Sequence, residues 1–262
     1  MVEQVGESMG REFESKVVVI TGAAGVIGTW IADAFASEGA ILVLSDKRRD
    51  QLDSMKKEGR WGASEVLIHE SELSDAESLK DLVSAVEKRW GAPHILVNNA
   101  GVYPHSPLLE VELEEWNRII NVNLTAPFVL TKSFAGLMIG KGIRGSIVNI
   151  LSGASLTVSR NGVPYSVSKA ALLMLTRGSA LELAPHKIRV NGVSPGFAAG
   201  SEVSPLDNDY VERMIRSIPL GRMSGPNDAA SAVLYLSSEK ASFITGTMLS
   251  VDGGRTAGPV TL

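Results

Sequence analysis

A tyrosine and a lysine four residues apart are the first residues of this sequence that could do chemistry together. Tyr165 and Lys169 lie in the segment Val163-Pro-Tyr-Ser-Val-Ser-Lys169, and a spacing of four places two side chains on the same face of a helix. An ammonium group beside a phenol favours the phenolate and lowers the pKa of the hydroxyl from its ordinary value of about 10. Such a phenol can act as a general base towards an alcohol at neutral pH.

Ser152 is a third polar residue that could belong to this site, because it follows a predicted strand. Ser146 to Leu151 is a short apolar run that predicts a buried strand, and Ser152 follows at its carboxyl end. Open α/β sheets bind their ligands outside the carboxyl ends of their strands, so Ser152 is expected at a ligand site. The alternative interpretation of the pair is a half-buried tyrosine at a helix start beside a lysine that reaches to solvent.

A glycine loop lies between the first predicted strand and the first predicted helix. Lys16 to Thr21 is rich in β-branched residues and runs directly into Gly22-Ala-Ala-Gly25-Val-Ile-Gly28. Backbone N–H groups in such a loop, together with a helix N-terminus, can hold a pyrophosphate. An ordinary tight turn between strand and helix is the alternative.

The second predicted strand, Ala40 to Leu44, ends at an acidic residue that bears on cofactor choice. Asp46 lies about 20 residues beyond the glycine loop, where a carboxylate can accept hydrogen bonds from ribose hydroxyls and repels a 2′-phosphate. This position favours NAD. Lys47 and Arg48 follow directly and could bind a 2′-phosphate, so NADP is the other candidate cofactor.

Three further segments follow predicted strands and could line a dinucleotide site. Glu72-Leu73 follows a strand at 65–69 and could hold an adenine, although a loop in which Ser74 caps the next helix explains it equally well. Asn98-Asn-Ala-Gly101 follows a strand at 94–97 and is predicted to brace neighbouring strands while a ligand comes close. Pro195-Gly196 follows a strand at 188–193.

A long helix is predicted from about Leu113 to Leu137, with an interruption near Asn121-Val-Asn123 and Pro127. A proline inside a helix frees a carbonyl group and permits a kink. Asn123 could bridge a water molecule to an active site. Alternatively, the side chain of Asn123 forms hydrogen bonds with backbone groups that the kink leaves unpaired. The two interpretations are compatible.

The length, composition and net charge of the sequence argue against several classes of function, and the order of its predicted elements indicates one α/β domain. The chain has 262 residues, of which 44% are apolar, and a formal charge of -4, which gives no electrostatic case for nucleic acid or an anionic membrane surface. The absence of cysteine and the scattered positions of the four histidines argue against a metal site. Strands alternate with helices, which predicts a Rossmann-type doubly wound parallel sheet of about seven strands.

The domain is expected to span residues 16–262, after a loose N-terminal tail at 1–15. Residues 197–223 contain one short predicted helix, near Asp209 to Arg216, and are expected to form a loop that closes over the substrate. We expect no apolar run of membrane-spanning length.

The sequence resembles the shorter subclass of the short-chain dehydrogenase/reductase family over nearly all of Lys16 to Gly254. Five elements agree in order and carry the resemblance: Thr21-Gly22 to Gly28, Asn98-Asn-Ala-Gly101, Val122-Asn-Leu124, Ser152 with Tyr165-x-x-x-Lys169, and Pro195-Gly196.

This resemblance implies roles for the matching residues. Tyr165 would be the general acid and base, Lys169 would lower its pKa and bind the nicotinamide ribose, and Ser152 would orient the substrate oxygen. Asn123 would hold a water molecule that links Lys169 to solvent. Cofactor contacts are expected from Gly22, Gly25, Val26, Ile27, Gly28, Asp46, Glu72, Leu73, Asn99, Ala100, Gly101, Tyr165, Lys169, Pro195, Gly196 and Phe197.

Three positions depart from the family pattern. The middle glycine of the loop, usual at position 26, is replaced by Val26, and a glycine stands at Gly25 instead. The acidic residue near the adenine is Glu72 rather than Asp. The threonine expected five residues after Pro195 is Gly200, with Ser201 next to it, so we expect altered contacts to the cofactor at both ends of the site.

The resemblance implies an NAD-linked dehydrogenase or reductase of a small secondary alcohol or ketone, such as a polyol, a sugar acid or a hydroxyacyl compound. A 3-oxoacyl-carrier-protein reductase is the alternative within the class, although such enzymes usually carry basic residues where Asp46 stands. A dinucleotide-binding sensor or scaffold without turnover is the alternative from another class. We further expect a cytoplasmic homo-oligomer, a tetramer or a dimer, with no nucleic-acid or membrane partner.

Overall fold

Short runs of valine, isoleucine and leucine form one parallel sheet. The structure is a computed structural model and describes residues 11–198 and 207–258. Seven strands are present in these ranges: β1 (Val17–Thr21), β2 (Ile41–Asp46), β3 (Val66–Glu70), β4 (Ile95–Asn98), β5 (Ser146–Ile150), β6 (Arg189–Pro195) and β7 (Met248–Val251). Their order is β3-β2-β1-β4-β5-β6-β7, and each neighbouring pair is parallel. The chain first builds outward from β1 and then crosses back to β4, so the strand order reverses between these two strands.

Helices cover both faces of this sheet. The main ones are α1 (Val26–Ser37), α2 (Arg49–Lys57), α3 (Ala76–Trp90), α4 (Leu113–Ile120), α5 (Ala126–Gly140), α6 (Val163–Leu183), α7 (Asn208–Arg216) and α8 (Pro226–Ser237). Val18 and Ile20 of β1 pack into one core cluster, and Val17 and Val19 into the other. Both faces of the strand are therefore buried, as side-chain alternation along a central parallel strand requires. The predicted doubly wound parallel sheet is confirmed.

Helices α4 and α5 are joined by a π-helical segment, Asn121–Thr125, so the backbone stays helical from Leu113 to Gly140. The predicted interruption near Asn121 to Asn123 therefore takes the form of a locally widened helix, a feature that commonly marks a functional site. Pro127 lies in the first turn of α5. Since proline has no N–H, it leaves the carbonyl of Asn123 without the donor that an α-helix would supply at the fourth residue.

This helical stretch corrects the expectation about membrane-spanning length. It has 28 residues, and its most apolar part has a mean hydropathy of 1.3, which would allow it to cross a membrane by length and composition alone. Half of that part is buried inside the protein, where Leu130, Phe134 and Met138 pack against the sheet. This packing is that of a core helix.

Some element boundaries differ from the prediction. Strand β2 extends through Asp46 and β6 through Pro195, so both residues belong to strand ends. The predicted cap of α3 was wrong, because Asp75 Oδ2 accepts the Ser78 N–H at 3.0 Å. The hydroxyl of Ser74 instead donates to Glu72 at 2.8 Å.

Candidate active site

The glycine loop between β1 and α1 has a shape that requires glycine at two positions. Gly22 has a φ of +63°, and a Cβ there would lie 2.7 Å from the Cα of Ala100. A Cβ at Gly28 would collide with the carbonyl oxygen of Gly22 and lie 2.7 Å from Asn99 Nδ2. The loop therefore lies directly against the segment that follows β4.

The unusual glycine spacing is accommodated at the start of α1. Gly25 is the N-cap in an extended conformation, and Val26 is the first helical residue and half-buried. A Cβ at Gly25 would make contacts of 3.3 Å or longer. No described side chain caps this end of α1, and its first turn has no acidic residue. Its N–H groups can therefore receive an anion.

Thr21 and Asn99 fasten the glycine loop to β4. The amide of Asn99 donates from Nδ2 to the carbonyl oxygens of Thr21 and Gly22, both at 3.0 Å. The hydroxyl oxygen of Thr21 accepts the backbone N–H groups of Asn99 at 3.1 Å and Ala100 at 3.2 Å. The bracing expected of the Asn98 to Gly101 segment is present, and it fixes the loop in place.

A buried chain of hydrogen bonds runs behind the site from one helix layer to the sheet. Asn98 Nδ2 donates to Asn149 Oδ1 at 2.8 Å and to Thr131 Oγ1 at 3.3 Å. Asn149 Nδ2 donates in turn to Thr176 Oγ1 of α6 at 2.9 Å. All four residues are buried. Because buried amides must find partners, this chain fixes β4, β5, α5 and α6 relative to one another.

Asp46 lies at the end of β2, beneath the glycine loop. Its carboxylate is almost fully buried, and Oδ2 accepts the backbone N–H of Ala24 at 3.0 Å. The residue therefore occupies the end of the strand beside the loop, where ribose recognition was expected. Arg48 contacts the other carboxylate oxygen, Oδ1.

The segment after β3 forms a tight loop. Glu72 is exposed, and its Oε1 accepts the N–H and the hydroxyl of Ser74 at 3.1 Å and 2.8 Å. Leu73 is half-buried against the core cluster on the α3 face. The loop interpretation explains these contacts, and the adenine contacts expected of Glu72 and Leu73 stay a prediction.

Lys169 of α6 is buried beside the end of β5. Its Nζ donates to the carbonyl oxygen of Ile150 at 2.7 Å and lies 5.9 Å from the ring centre of Tyr165. A Cβ at Gly101 would lie 3.6 Å from this nitrogen, so the absence of a side chain leaves that side of the ammonium open. Burial lowers the pKa of Lys169 to about 8.

Tyr165 is the third residue of α6 and lies among Lys169, Ser152 and Tyr103. Burial raises the pKa of its hydroxyl, and a polar contact with the Ser152 side chain opposes that increase. Tyr103 raises the pKa further, and its ring meets the Tyr165 ring edge-on at 6.3 Å. In this structure the desolvation of Tyr165 therefore outweighs the effect expected of the neighbouring ammonium.

Asn123 is fully buried in the π-helical segment and holds the loop after Gly101. Its Oδ1 accepts the Val102 N–H at 2.9 Å, and its Nδ2 donates to the Val102 carbonyl at 2.9 Å. Nδ2 also donates to Ser168 Oγ at 3.0 Å. Both amide N–H groups are thus used within the protein. The Asn123 side chain therefore serves to position the segment that contains Val102.

Pro195 ends β6, and the residues after it pack on the C-terminal turn. The N–H of Gly196 donates to the Val251 carbonyl at 2.7 Å, and a Cβ at Gly196 would lie 3.0 Å from Asp252 Cα. Phe197 meets Tyr210 of α7 edge-on at 6.1 Å. Gly200 and Ser201, where altered contacts to the cofactor were expected, lie outside the described residues.

A cavity of about 650 Å³ lies between this region and the turn that follows β5. Its apolar lining comes from Leu156, Phe197, Ile218, Leu220 and Met223. The cavity therefore offers a partly apolar wall next to the residues after β6, within the part of the predicted substrate loop that the structure describes.

Comparison with known proteins assigns the family. A family model described as enoyl-(acyl carrier protein) reductase matches residues 22–256. The chain belongs to the short-chain dehydrogenase/reductase family. Within that family it is 36% identical to the 3-oxoacyl-[acyl-carrier-protein] reductase of Thermotoga maritima, over 92% of this chain and 98% of that protein. It is also 35% identical to the cis-4-hydroxycyclohexanecarboxylate dehydrogenase of Sinomonas cyclohexanicum, over 95% of this chain and 100% of that protein.

Solved structures of the short-chain dehydrogenase/reductase family share this fold. A gluconate 5-dehydrogenase from Burkholderia cenocepacia, in complex with NADP and tartrate, has a TM-score of 0.87 at 28% identity and covers 95% of this chain and 98% of its own. The chain is therefore an NAD(P)-dependent oxidoreductase that acts on CH–OH groups. The relatives are enzymes, which speaks against the alternative of a sensor or scaffold without turnover.

The structure gives roles to three residues that the sequence did not place among the site residues. Thr21 fastens the glycine loop, Ser168 receives the Asn123 amide, and Tyr103 covers Tyr165. Thr21 directly precedes the first glycine, so its position in the motif was a usable signal. Tyr103 and Ser168 became recognisable only through contacts between segments that are distant in sequence.

Proposed function

We propose that this enzyme interconverts a small secondary alcohol and its ketone, with Tyr165 as general acid and base. The observation that carries the proposal is the convergence of Ser152, Tyr165 and Lys169 at the carboxyl end of β5, with the lysine buried beside the phenol. Relatives named as a gluconate 5-dehydrogenase and a hydroxycyclohexanecarboxylate dehydrogenase support a polyol, a sugar acid or another hydroxy acid as substrate.

The residues present fit a dinucleotide cofactor. Gly22 and Gly28 keep the loop clear of side chains, and the uncapped start of α1 presents N–H groups to a pyrophosphate. Gly101 leaves the Lys169 ammonium open on one side, which supports the proposed contact with the nicotinamide ribose. NAD or NADP supplies the hydride transfer when bound, and the protein supplies orientation and proton handling.

The environment of Tyr165 suits proton donation. In the reducing direction, Tyr165 gives its proton to the developing alkoxide while Ser152 holds the same oxygen. Burial raises the pKa of Tyr165, so this proton is present at neutral pH. In the oxidising direction the phenolate is needed, and Lys169 supports it because an ammonium with a pKa of about 8 is mostly charged at pH 7.

We assign Asn123 two separate contributions. Its side-chain amide positions the loop that carries Tyr103 by holding Val102. Its backbone carbonyl, which loses an α-helical donor because Pro127 has no N–H, is the group that we propose for holding a water molecule near Lys169.

Replacement of Tyr165 by phenylalanine tests this mechanism. We expect Tyr165→Phe to lower kcat by at least about 100-fold, because general acid–base catalysis is worth that much. Binding of NAD(H) and NADP(H), measured by calorimetric titration, should change little because the ring stays in place. The substrate comes from a screen of polyols, sugar acids and hydroxy acids for the reduction of NAD and NADP.

Tyr235→Phe is the matched control, since it makes the same change on the outer face of α8 and should keep parental activity. A Tyr165→Phe enzyme that turns over at the parental rate would refute the assignment. Reduction of 3-oxoacyl thioesters is the second candidate activity, favoured by the Thermotoga relative. A clear preference for such thioesters over the screened alcohols would favour it over the leading proposal.

We also propose that the enzyme self-associates through the outer faces of α5 and α6. Val167, Met174 and Leu181 recur every seven residues on α6 and are partly to largely exposed. Phe128 and Ile139 of α5 are exposed at a spacing of eleven. Regular exposed apolar stripes of this kind mark protein interfaces. We also propose a cytoplasmic location, which fractionation of the host cell tests.

A further inference from the structure

The C-terminal turn, residues 252–257, is held in shape by one buried carboxylate. Asp252 is 9% exposed. Its Oδ2 accepts hydrogen bonds from the hydroxyl of Thr256 at 2.6 Å and from the Thr256 N–H at 2.9 Å, and its Oδ1 accepts the Gly254 N–H at 3.0 Å. Hydrogen bonds to an ionised carboxylate are about twice as strong as those between neutral groups. Asp252 therefore fixes the position of the Thr256 side chain.

The methyl group of Thr256 packs on the residue that follows Ser152. A Cβ on Gly153 would lie 2.9 Å from Thr256 Cγ2, which is shorter than the separation of about 3.5–4 Å that carbon atoms prefer. Since glycine has no Cβ, the methyl group can occupy this space. Gly153 and Thr256 are therefore in contact although they are far apart in the chain.

The orientation of the Ser152 hydroxyl depends on the backbone at Gly153. Ser152 is the N-cap of a one-turn 3₁₀ helix, Gly153–Ser155, and its Oγ accepts the Ala154 N–H at 3.2 Å. The same side chain makes the polar contact with Tyr165. A displacement of Gly153 moves the Ala154 N–H, and the Ser152 oxygen that it holds moves with it.

The C-terminal turn also borders the cavity, which Thr256 and Ala257 line together with Leu220. The carbonyl oxygen of Gly253 accepts the Leu220 N–H at 3.1 Å, so the turn is fastened to the residues that follow α7. Thr256 therefore lies between the cavity and the segment that carries Ser152.

We propose that Thr256 is a positioning residue whose methyl group holds Gly153 in place and thereby directs the Ser152 hydroxyl to the substrate oxygen. The methyl group and the hydroxyl of Thr256 have separate tasks, one towards Gly153 and the other towards Asp252. This inference rests on the proposed function, in which Ser152 holds the substrate oxygen while Tyr165 transfers the proton.

Thr256→Ser removes the methyl group and keeps the hydroxyl for Asp252. We expect it to lower kcat for alcohol oxidation by roughly tenfold, because a misplacement of about 1 Å near the reacting atoms can cost up to about 100-fold. Binding of NAD(H), measured by calorimetric titration, should stay at the parental value because the contacts of Thr256 with Gly153 and Asp252 lie outside the glycine loop.

The pH dependence of oxidation separates a positioning role from a merely structural one. Burial raises the pKa of Tyr165, and the contact with Ser152 opposes that increase. When Ser152 is less well placed, this opposition weakens and the pKa of Tyr165 rises further. Since oxidation needs the phenolate, the pH at which kcat reaches half its maximum should move upward in Thr256→Ser. A loss of folded protein would lower the profile without moving it.

Moving the methyl group to the other side of the contact provides a rescue. Gly153→Ala adds a Cβ where the Thr256 methyl group lies, so this substitution alone should also lower kcat. The double variant Gly153→Ala/Thr256→Ser carries the methyl group on residue 153 instead, and its kcat and pH profile should return towards the parental values. Such non-additivity measures the coupling between the two residues.

Thr245→Ser is the matched control, because it removes the same methyl group from an exposed threonine whose hydroxyl oxygen accepts the Val190 N–H at 3.1 Å. It should keep the parental kcat and pH profile. Thermal unfolding of every variant sets an assay temperature at which all of them are folded.

Two results would overturn the inference. One is a Thr256→Ser enzyme whose kcat and pH profile match those of the parent, and the other is a pair of losses in Thr256→Ser and Gly153→Ala that simply add in the double variant. Ser152→Ala tests the underlying function separately and should lower kcat at least as much as Thr256→Ser. Parental turnover by Ser152→Ala, or no turnover of any screened alcohol by the parent enzyme, would refute the proposed function itself.

Discussion

The proton of Tyr165 is governed by its immediate neighbours. Burial is the largest influence and raises the pKa of the hydroxyl, while Ser152 lowers it and Tyr103 raises it. The ring of Tyr103 is itself 48% exposed and covers Tyr165 edge-on. Because Asn123 holds Val102, next to Tyr103, the covering ring is fixed by the same residue that marks the π-helical segment. Tyr103 is therefore placed to shield the side chain of Tyr165 from water.

Removal of the Tyr103 side chain should lower the pKa of Tyr165. Tyr103→Ala admits water, reduces the desolvation of the phenolate and removes the electrostatic effect by which the Tyr103 side chain raises the pKa of Tyr165. The reduction rate depends on the protonated phenol, so it should begin to fall at a lower pH in Tyr103→Ala than in the parent enzyme. A pH profile of kcat for ketone reduction measures the change.

Tyr103→Phe separates the two causes, because it keeps the covering ring and removes only the hydroxyl. Its profile should lie between those of the parent and Tyr103→Ala. Profiles that coincide for all three enzymes would show that Tyr103 does not influence Tyr165.

Residue spacing allowed the proximity of Tyr165 and Lys169 to be predicted, whereas contacts across the sheet did not follow from it. Tyr165, Lys169 and Ser152 are recognisable because a helix and a strand end fix where they point. The contact between the Arg48 side chain and Asp46 depends on a side-chain rotamer, which no sequence pattern encodes. The pKa of Tyr165 was expected to fall because of Lys169, but the amount of burial that opposes this effect is a property of the folded site.

At the scale of the secondary-structure elements, the residues of the candidate site lie at the ends of strands and at the start of a helix. Strand ends β1, β4 and β5 carry Thr21, Asn98 and Ile150, and the start of α6 carries Tyr165. The sequence predicted these elements because buried parallel strands are short apolar runs between longer helical patterns. It did not predict the π-helical form of residues 121–125, because that form depends on how α4 and α5 pack against α6 as well as on Pro127.

The N-terminus of helix α8 allows the contribution of a capping carboxylate to stability to be tested. Asp228 Oδ2 accepts the Gly225 N–H at 2.7 Å and receives Arg222 Nη1 at 2.6 Å. Arg222 and then the Gly225 N–H lower the pKa of Asp228 to about 2. A carboxyl group whose pKa is depressed on folding stabilises the protein above its ordinary pKa, and this contribution is lost as the pH falls towards the folded value.

Asp228→Asn should therefore lower the free energy of unfolding at pH 7 by about 1 kcal/mol, the usual value of a helix-capping contact. The difference between the two proteins should shrink as the pH is lowered from 4 towards 2. Urea unfolding at several pH values measures it. Asp50→Asn, in the first turn of α2, is the control, and an equal loss in both variants at pH 7 would contradict the assignment.

At the scale of the whole molecule, the apolar stripes on α5 and α6 are the surfaces that we propose for self-association. Met174 is 62% and Leu181 is 78% exposed. Both stripes lie on the helices that carry or support the site, since α6 holds Tyr165 and Lys169. Association through these faces would therefore stiffen the helices that position the proposed catalytic residues.

Met174→Glu should disrupt this association, because a charge at the centre of the α6 stripe cannot be buried without a partner. Light scattering behind size-exclusion chromatography should show the parent protein as a dimer or tetramer and the variant as a smaller species. Phe243→Glu changes an exposed apolar residue beyond α8 and is the comparison. Dissociation caused by Phe243→Glu alone, or a parent protein that is monomeric, would contradict the α5–α6 interface.

The fastening of the glycine loop by Asn99 has a consequence for the order in which the protein folds. Asn99 and Thr21 are 78 residues apart in the chain, and β1 becomes a central strand only when β4 pairs with it. In a nascent chain that ends before β4, the loop therefore lacks its hydrogen bonds to Asn99 and Ala100, although Ala24 can still donate to Asp46. Closing so long a segment costs entropy before any contact compensates for it, so the hydrogen bonds that complete the loop form only after roughly the first hundred residues have been assembled.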